Sequence, residues 1–329
     1  MITSTCSPST RSSSRENYLK TPIDMVILNS ICQYFPSAEY FNTVIQHCLN
    51  QLLDGGIIFL GDIRHYDLNP TFHMDVICAN THTKETFGHI QQRATNRLNR
   101  DIELCFSPAY FKILKKEHPE ISNIQILNKE GSKDNEMNHY RYDVIIHVQG
   151  RQAPKPSIVQ YSSDQNHWDQ IDEYLNASHN PILIQGVQNP KIHHACKQFQ
   201  HIITMEQQAK FESHDWASNE MDYDLFIKQL ENKSQRHILM SPDLQHPDQI
   251  GIWMVEQIHD TSIDDLSTPS KIALHSNPKH AEQYQNLTQH IEQFMMKQLP
   301  EHMLPALYIH LDSWPLTTNG KIDEQQLKP

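Results

Sequence analysis

Three short polar strings hold the residues best able to do chemistry: Asn29-Ser-Ile-Cys-Gln-Tyr-Phe-Pro36, Gly61-Asp-Ile-Arg64 and Asn135-Glu-Met-Asn-His-Tyr-Arg-Tyr-Asp143. They combine amides, carboxylates and guanidinium groups. A carboxylate or amide beside a substrate amine can take its proton or hold it in line for attack. A fourth candidate is Lys321, which follows Asn319-Gly320, a dipeptide whose residues tolerate positive φ and make tight turns. A lysine on such a stiff loop tip is a point charge suited to a carboxylate or phosphate. The histidines suggest less. His193 and His194 are adjacent, and His65, His73, His82 and His89 are scattered among few acids. Metal ligands on a helix need i, i+3 or i, i+4 spacing, so these are expected to be surface histidines, with no metal site.

The elements that position these strings can be read from apolar spacing. Ile23–Leu28 is an unbroken apolar strand of the kind buried on both faces in a parallel sheet. Ser37 is a plausible N-cap, and Phe41, Val44, Ile45, Cys48, Leu49, Leu52 and Leu53 then form one helical stripe. Gly55 and Gly56 supply a left-handed stop before the strand Ile57–Gly61. Strand, helix, glycine turn and strand make a βαβ unit, with the first two polar strings at the carboxyl ends of its strands, where such folds take ligands.

A polar helical stretch over 73–118 and closing strands at Ile124–Leu127 and Tyr142–Val148 complete this region. A connector is expected over 151–166, followed by helices near His167–Leu175, Lys191–Phe199 and Leu225–Leu230. Strands are expected at Ile182–Ile184, His237–Met240 and Ile250–Val255, the last two as a hairpin. An amphipathic helix over 279–298 and a strand at Leu307–Leu311 lead to the Lys321 loop.

Composition narrows the function classes. The 329 residues carry 27 basic and 39 acidic side chains, a net charge of −12, which argues against nucleic-acid and anionic-membrane partners. The longest apolar runs are far shorter than the roughly 20 residues a membrane helix needs. Cysteines at 6, 32, 48, 78, 105 and 196 include no C-x-x-C pair, as expected of scattered thiols in the reducing cytoplasm. Residues 1–22 are Ser/Thr-rich and expected to be a disordered tail.

In order and spacing, the three polar strings resemble motifs of the S-adenosylmethionine-dependent methyltransferase domain embedded in nonribosomal peptide synthetases, which run like NSVVQYFP, GDVR and NELTRFRYD. Gln185-Gly-Val-Gln-Asn-Pro190 resembles, more loosely, a stretch that follows those domains. The last sixty residues resemble the final core motif of adenylate-forming domains. Leu299-Pro-Glu-His-Met-Leu-Pro305 and Trp314-Pro-Leu-Thr-Thr-Asn-Gly-Lys-Ile-Asp323 carry that likeness, with His302 in place of the usual Tyr and Glu324 in place of the usual Arg.

The resemblance implies a partial class I methyltransferase-like, Rossmann-like α/β sheet lacking its first strands, followed by small α+β regions. The boundaries expected are 1–22 tail, 23–150 C-terminal half of the methyltransferase, 151–268 associated α/β region and 269–329 adenylation lid. Asn29, Gln33, Tyr34, Asp62, Arg64, Asn135, Glu136 and Arg141 would line the methyltransferase pocket, and Lys321 would be the adenylation lysine. The complete family uses S-adenosylmethionine and ATP with magnesium. Residues 1–22 hold no glycine and therefore no cofactor loop. The chain is accordingly expected to act with another synthetase chain or module that supplies the adenylation core and a carrier domain, as a split subunit or a remnant. Two alternatives stand beside this. One is a non-catalytic interaction module that docks on a partner through an exposed strand edge. The other is a stand-alone methyltransferase with an unconventional cofactor loop.

Overall fold

The computed structural model describes residues 23–52, 55–81, 85–129, 135–150, 152–161, 167–177, 179–211, 223–266, 273–300, 303–305, 308 and 321–322. Within them lie two four-stranded mixed sheets. The first holds β1 (Met25–Asn29), β2 (Gly56–Arg64), β3 (Ile121–Asn128) and β4 (Arg141–Val148) in the order β1-β2-β4-β3. The second holds β5 (Ser157–Gln160), β6 (Ile182–Gln188), β7 (His237–Pro242) and β8 (Gln249–Val255) in the order β5-β6-β8-β7. In each sheet the first two strands are parallel and the last strand in sequence is inserted antiparallel between its neighbours.

Helix α1 (Ala38–Gln51) links β1 to β2. Ser37 caps it by accepting a hydrogen bond from the Tyr40 amide at 3.3 Å. Its stripe Phe41, Ile45 and Leu49 is buried against Ile58, Leu60, Val144 and Ile146 of the sheet. Gly55 and Gly56 lie at φ 103° and 146°, and a Cβ on Gly56 would come within 2.6 Å of the Asp24 carbonyl oxygen.

The expected helical stretch over 73–118 is three helices: α2 (Asn69–Ala79), α3 (Phe87–Asn99) and α4 (Tyr110–Glu117). The breaks fall at Thr86, which caps α3, and at the extended segment before Phe106, which bridges His65. Phe41 and Tyr110 then pack against Phe106 as tilted rings with centroids 4.6 and 4.7 Å away. The short helix α5 (Glu136–His139) leads into β4.

In the second unit, α6 (His167–Ala177) joins β5 to β6, and α7 (His193–Thr204) and α8 (Tyr223–Ser234) precede β7. β5 falls inside the stretch expected to be a connector, because four residues pairing in register with Ile182–Gln185 suffice to make an edge strand. α9 (Pro278–Met296) closes the described order. The strand expected at Leu307–Leu311, most of the loop before Lys321, and the tail over 1–22 lie outside the described residues.

The continuous apolar run of β1 suggests burial on both faces, but Met25 and Ile27 are 51 % and 59 % exposed. Among the described residues β1 is hydrogen-bonded along one side only, to β2. Burial of a strand depends on its neighbours, and an edge strand has half of them.

The two units repeat one another down to individual hydrogen bonds. In β2, Gly61 and Asp62 face the single residue Asp143, and in β6, Gln185 and Gly186 face the single residue Gly251. Each is a β-bulge whose second residue is left-handed, Asp62 at φ 63° and Gly186 at φ 82°. The amide that follows each strand makes the same bond, His65 to the Tyr140 carbonyl and Asn189 to that of Asp248, both at 2.9 Å. β3 lies beside β7, and Leu183, Leu239 and Trp253 join the core of the first sheet. Buried Asn123 and Gln125 of β3 donate to the carbonyls of Thr261 and Ile258 at 2.8 and 2.7 Å, tying the units by polar contacts as well.

Replacing Phe41 with Ala is expected to cost about 3–5 kcal/mol. Gly186→Ala should cost about 1–2 kcal/mol, from the left-handed backbone alone, since its nearest obstacle is the Tyr161 carbonyl oxygen at 3.5 Å. Urea denaturation should show both as lowered midpoints with an unchanged slope.

Candidate functional site

The carboxyl ends of β1 and β2 carry two adjacent non-glycine residues in the left-handed region, Ser30 at φ 54° and Asp62 at φ 63°. Such backbone costs on the order of 1–3 kcal/mol per residue and persists where the surroundings over-determine it, commonly at working sites. Here the Ser30 amide donates to the Gly61 carbonyl at 3.1 Å, and the Ser30 hydroxyl donates to Asp62 Oδ2. The Asp62 amide donates to Asp143 Oδ1 at 2.9 Å. Lys129, just beyond the end of β3, bridges the two carboxylates. Its Nζ donates to both oxygens of Asp143 at 3.0 and 3.1 Å and pairs with Asp62 Oδ1 at 2.8 Å, as an ion contact rather than an aligned hydrogen bond.

This cluster fixes its own charge state. Burial pushes the Asp62 carboxyl up, but the Lys129 and Ser30 contacts outweigh it and hold the group below the usual carboxylate range. Burial likewise depresses Lys129, and its two carboxylate partners more than reverse that. Asp62 is therefore ionised and Lys129 charged at neutral pH. The Asp62 carboxylate is thereby set to accept hydrogen bonds from an amine or hydroxyl, not to act as a strong base.

The remaining sequence-derived candidates fall around this cluster or away from it. Asn29 lies over Gly61 so closely that a Cβ there would sit 1.9 Å from Asn29 Oδ1, which is why the position is glycine. Gln33 is buried, its Oε1 has no hydrogen-bond partner among the described residues, and its carbonyl accepts from the Leu104 amide at 2.8 Å. Tyr34 is 71 % exposed. Asn135 caps α5, accepting from the Asn138 amide at 3.2 Å, and Glu136 pairs with Arg141 at 2.9 Å. Arg141 lends its charge to Asp62. Lys321 is exposed.

Arg64 belongs to a second buried cluster. Its guanidinium meets Asp101 at 2.9 Å, Glu103 at 3.0 Å and Asn69 at 2.7 Å, and His73 Nε2 meets Asp101 at 3.0 Å. Burial raises the Asp101 carboxyl, yet the His73 hydrogen bond and the Arg64 charge pull it down to about 2. Of the histidines expected at the surface, His89 and His194 are exposed, whereas His65, His73 and His193 are buried, and His82 lies outside the described residues. His73 is held in its buried position by Asp101. Among the described residues no group of three or more His, Cys, Asp and Glu is placed to hold a metal ion. No described helix is long and apolar enough to cross a membrane.

Sequence reading missed Lys129, Asp101 and His73 as site residues. Lys129 had one usable signal, a cation two residues after the strand expected at Ile124–Leu127. The His73–Asp101 pair spans 28 residues and had none.

No family model matches the chain. It is 23 % identical over 340 residues to the bassianolide nonribosomal cyclodepsipeptide synthetase of Beauveria bassiana, covering 92 % of this chain and 11 % of that protein. It is also 23 % identical over 306 residues to the probable non-canonical nonribosomal peptide synthetase CymA of Salinispora arenicola, covering 92 % of this chain and 4 % of that protein. A shorter match reaches 36 % identity over 154 residues with the nonribosomal peptide synthetase penN of Penicillium thymicola, covering 45 % of this chain and 5 % of that protein. Its relatives are nonribosomal peptide synthetases. The chain spans about a tenth or less of the length of each of these three.

Lys129→Met leaves two carboxylates without their cation and should cost about 1–3 kcal/mol at pH 7. A depressed carboxyl stabilises the fold above its unfolded pKa and loses that contribution as pH falls through the folded value. The gap between wild type and variant in thermal melts should therefore close below about pH 4. Asp101→Asn should flatten the acid limb of stability between about pH 4 and the folded value of about 2.

Proposed function

We propose that this chain forms the second half of an S-adenosylmethionine-dependent methyltransferase, followed by the small lid of an amino-acid-adenylating domain, within a nonribosomal peptide synthetase. One observation carries the reading. Each of the three strings that resemble the methyltransferase motifs sends a residue to the same cluster: Ser30 from the first, Asp62 from the second and Asp143 from the third. They lie 32 and 81 residues apart in sequence and within hydrogen-bond distance in space. The cluster sits at the carboxyl ends of parallel strands, where α/β sheets take ligands.

In this reading Asp62 and Asp143 orient the acceptor amine by accepting its N–H groups, with Lys129 paired to both carboxylates. Asn29, Gln33 and Tyr34 wall the acceptor side, and the free Oε1 of Gln33 offers a further acceptor. S-Adenosylmethionine supplies the methyl group when bound, and positioning of the amine is this chain's contribution. The open apolar side of β1 is the place for the strand that carries the glycine-rich cofactor loop. Lys321 would stabilise charge on the substrate carboxylate and the α-phosphate of ATP as pyrophosphate leaves.

The exposed Met25 and Ile27 on that open edge also favour a second reading, a docking module that adds a partner's strand without taking part in chemistry. Both readings can be tested in a synthetase reconstituted with the segments bearing the cofactor loop, the adenylation core and the carrier. Asp62→Asn and Asp143→Asn should each slow transfer of labelled methyl to the acceptor at least tenfold. Lys321→Ala should slow ATP–pyrophosphate exchange and leave methyl transfer to a preloaded acceptor unchanged. Unchanged methylation in both aspartate variants would leave only the docking reading.

A further inference from the structure

Among the described residues the first sheet is covered fully on one face and only in part on the other. Side chains that pair in register on neighbouring strands point to the same side of a sheet. Val26, Ile58 and Ile146 form one such row, and with Leu28, Leu60 and Val144 they pack against Phe41 and Ile45 of α1. The rows between them face the other way. Met25 stands beside Ile57, and Ile27 beside Phe59 and Ile145. Met25 and Ile27 are exposed, and Ile57, Phe59 and Ile145 are only partly covered. The result is a contiguous apolar surface running over β1, β2 and β4, and such surfaces mark interaction sites.

An added strand does not cover it. A strand at the β1 edge pairs with N–H and C=O groups in the plane of the sheet, whereas the side chains of Met25 and Ile27 stand perpendicular to that plane. What begins to cover the face is the segment 258–261 of the second unit. Its carbonyls accept from Asn123 and Gln125, which stand on this same face, Gln125 directly beside Ile145. Ile258 is itself 51 % exposed and extends the apolar surface. The patch thus continues an interface that already exists between the units. The second unit presents the equivalent face in a covered state. Counted from the bulges, Leu183 and Trp253 take the places of Phe59 and Ile145. They are 0 % and 1 % exposed, in one core cluster with Phe111 and Leu114 of α4.

We infer that the open face seats an amphipathic helix supplied by the synthetase segment that completes the sheet. Sheets built on parallel strands carry helices over both faces. Three strands spaced about 4.8 Å apart offer a bed roughly as wide as one helix with its side chains, about 10–12 Å. The partner therefore brings two things, a strand for the edge of β1 and a helix for its face. The assignment rests on the reading of this chain as one part of a synthetase, and on none of the chemistry given to Asp62 and Asp143.

Hydroxyl-radical footprinting of the full chain, alone and in the reconstituted synthetase described above, reads the face directly. Met25 and Phe59 should be modified at least fivefold more slowly in the assembly. Ile27→Lys and Ile145→Lys should each weaken assembly at least tenfold. Ile113→Lys, the same change at an exposed position of α4, should leave it unaltered. Circular dichroism of the lone chain will verify that these variants fold, and the wild-type footprint needs no variant. Slowed amide exchange in β1 with Met25 and Phe59 modified as fast as before would mean that a strand alone is added, and would overturn the assignment. So would a lack of assembly, or protection that arises in the lone chain as its concentration increases, which would give the face to a second copy. Protection of the face together with methyl transfer indifferent to Asp62→Asn and Asp143→Asn would overturn the methyltransferase reading instead and uphold this one.

Discussion

Both sheets depend on one arrangement, an antiparallel strand inserted beside a parallel pair and matched to it by a bulge. At Gly61–Asp62 two residues of β2 face one residue of β4. The extra residue forces the chain into the left-handed region and increases the local twist. That turn aims the Asp62 side chain at Ser30 and lets its amide reach Asp143. Without the bulge, a one-residue change of register would send every following side chain of β2, Arg64 included, to the opposite face. The Ser30–Asp62–Lys129–Asp143 cluster and the Arg64–Asp101–His73 cluster both hang on this irregularity.

The second unit shows which parts of that arrangement are architecture. It makes the same bulge with Gly186 opposite Gly251, and the same closing bond, Tyr161 amide to Gln185 carbonyl at 2.8 Å, where the first has Ser30 to Gly61. Glycine adopts the left-handed backbone without strain, so the second unit obtains the geometry cheaply. The first unit keeps aspartates at both positions and adds a serine and a lysine. The second unit reaches the same backbone without such polar groups, so the bulge by itself does not require them.

Much of the scaffold could be read from the sequence because its signals are local. The α1 stripe, its Ser37 cap, the Gly55–Gly56 stop and the strands at 57–61, 124–127, 142–148, 182–184, 237–240 and 250–255 follow from periodicity over a few residues, and they stand in the structure within a residue or a few. The misreadings arose where neighbours decide. The apolar run of β1 by itself reads as buried on both faces; the exposed edge is expected only from the resemblance, in which the first strands are missing, and Met25 and Ile27 are exposed on it. Polar sequence around His73 predicts exposure, yet Asp101 supplies a buried partner from 28 residues away. The single helical stretch over 73–118 breaks into three because Thr86 caps α3 and the segment around Phe106 bridges His65, and the second of those is a tertiary contact.

The sequence by itself determined most of the helix and strand segments, and which three strings hold the polar residues, since side-chain period and turn chemistry act within a few residues. Only the tertiary structure decided that Ser30, Asp62 and Asp143 meet, that Lys129 joins them, and that Arg64 faces a different cluster. Those facts depend on strand order and on one extra residue in β2. Strand order is set by packing of the whole sheet, and a bulge leaves no periodic trace in the chain that carries it.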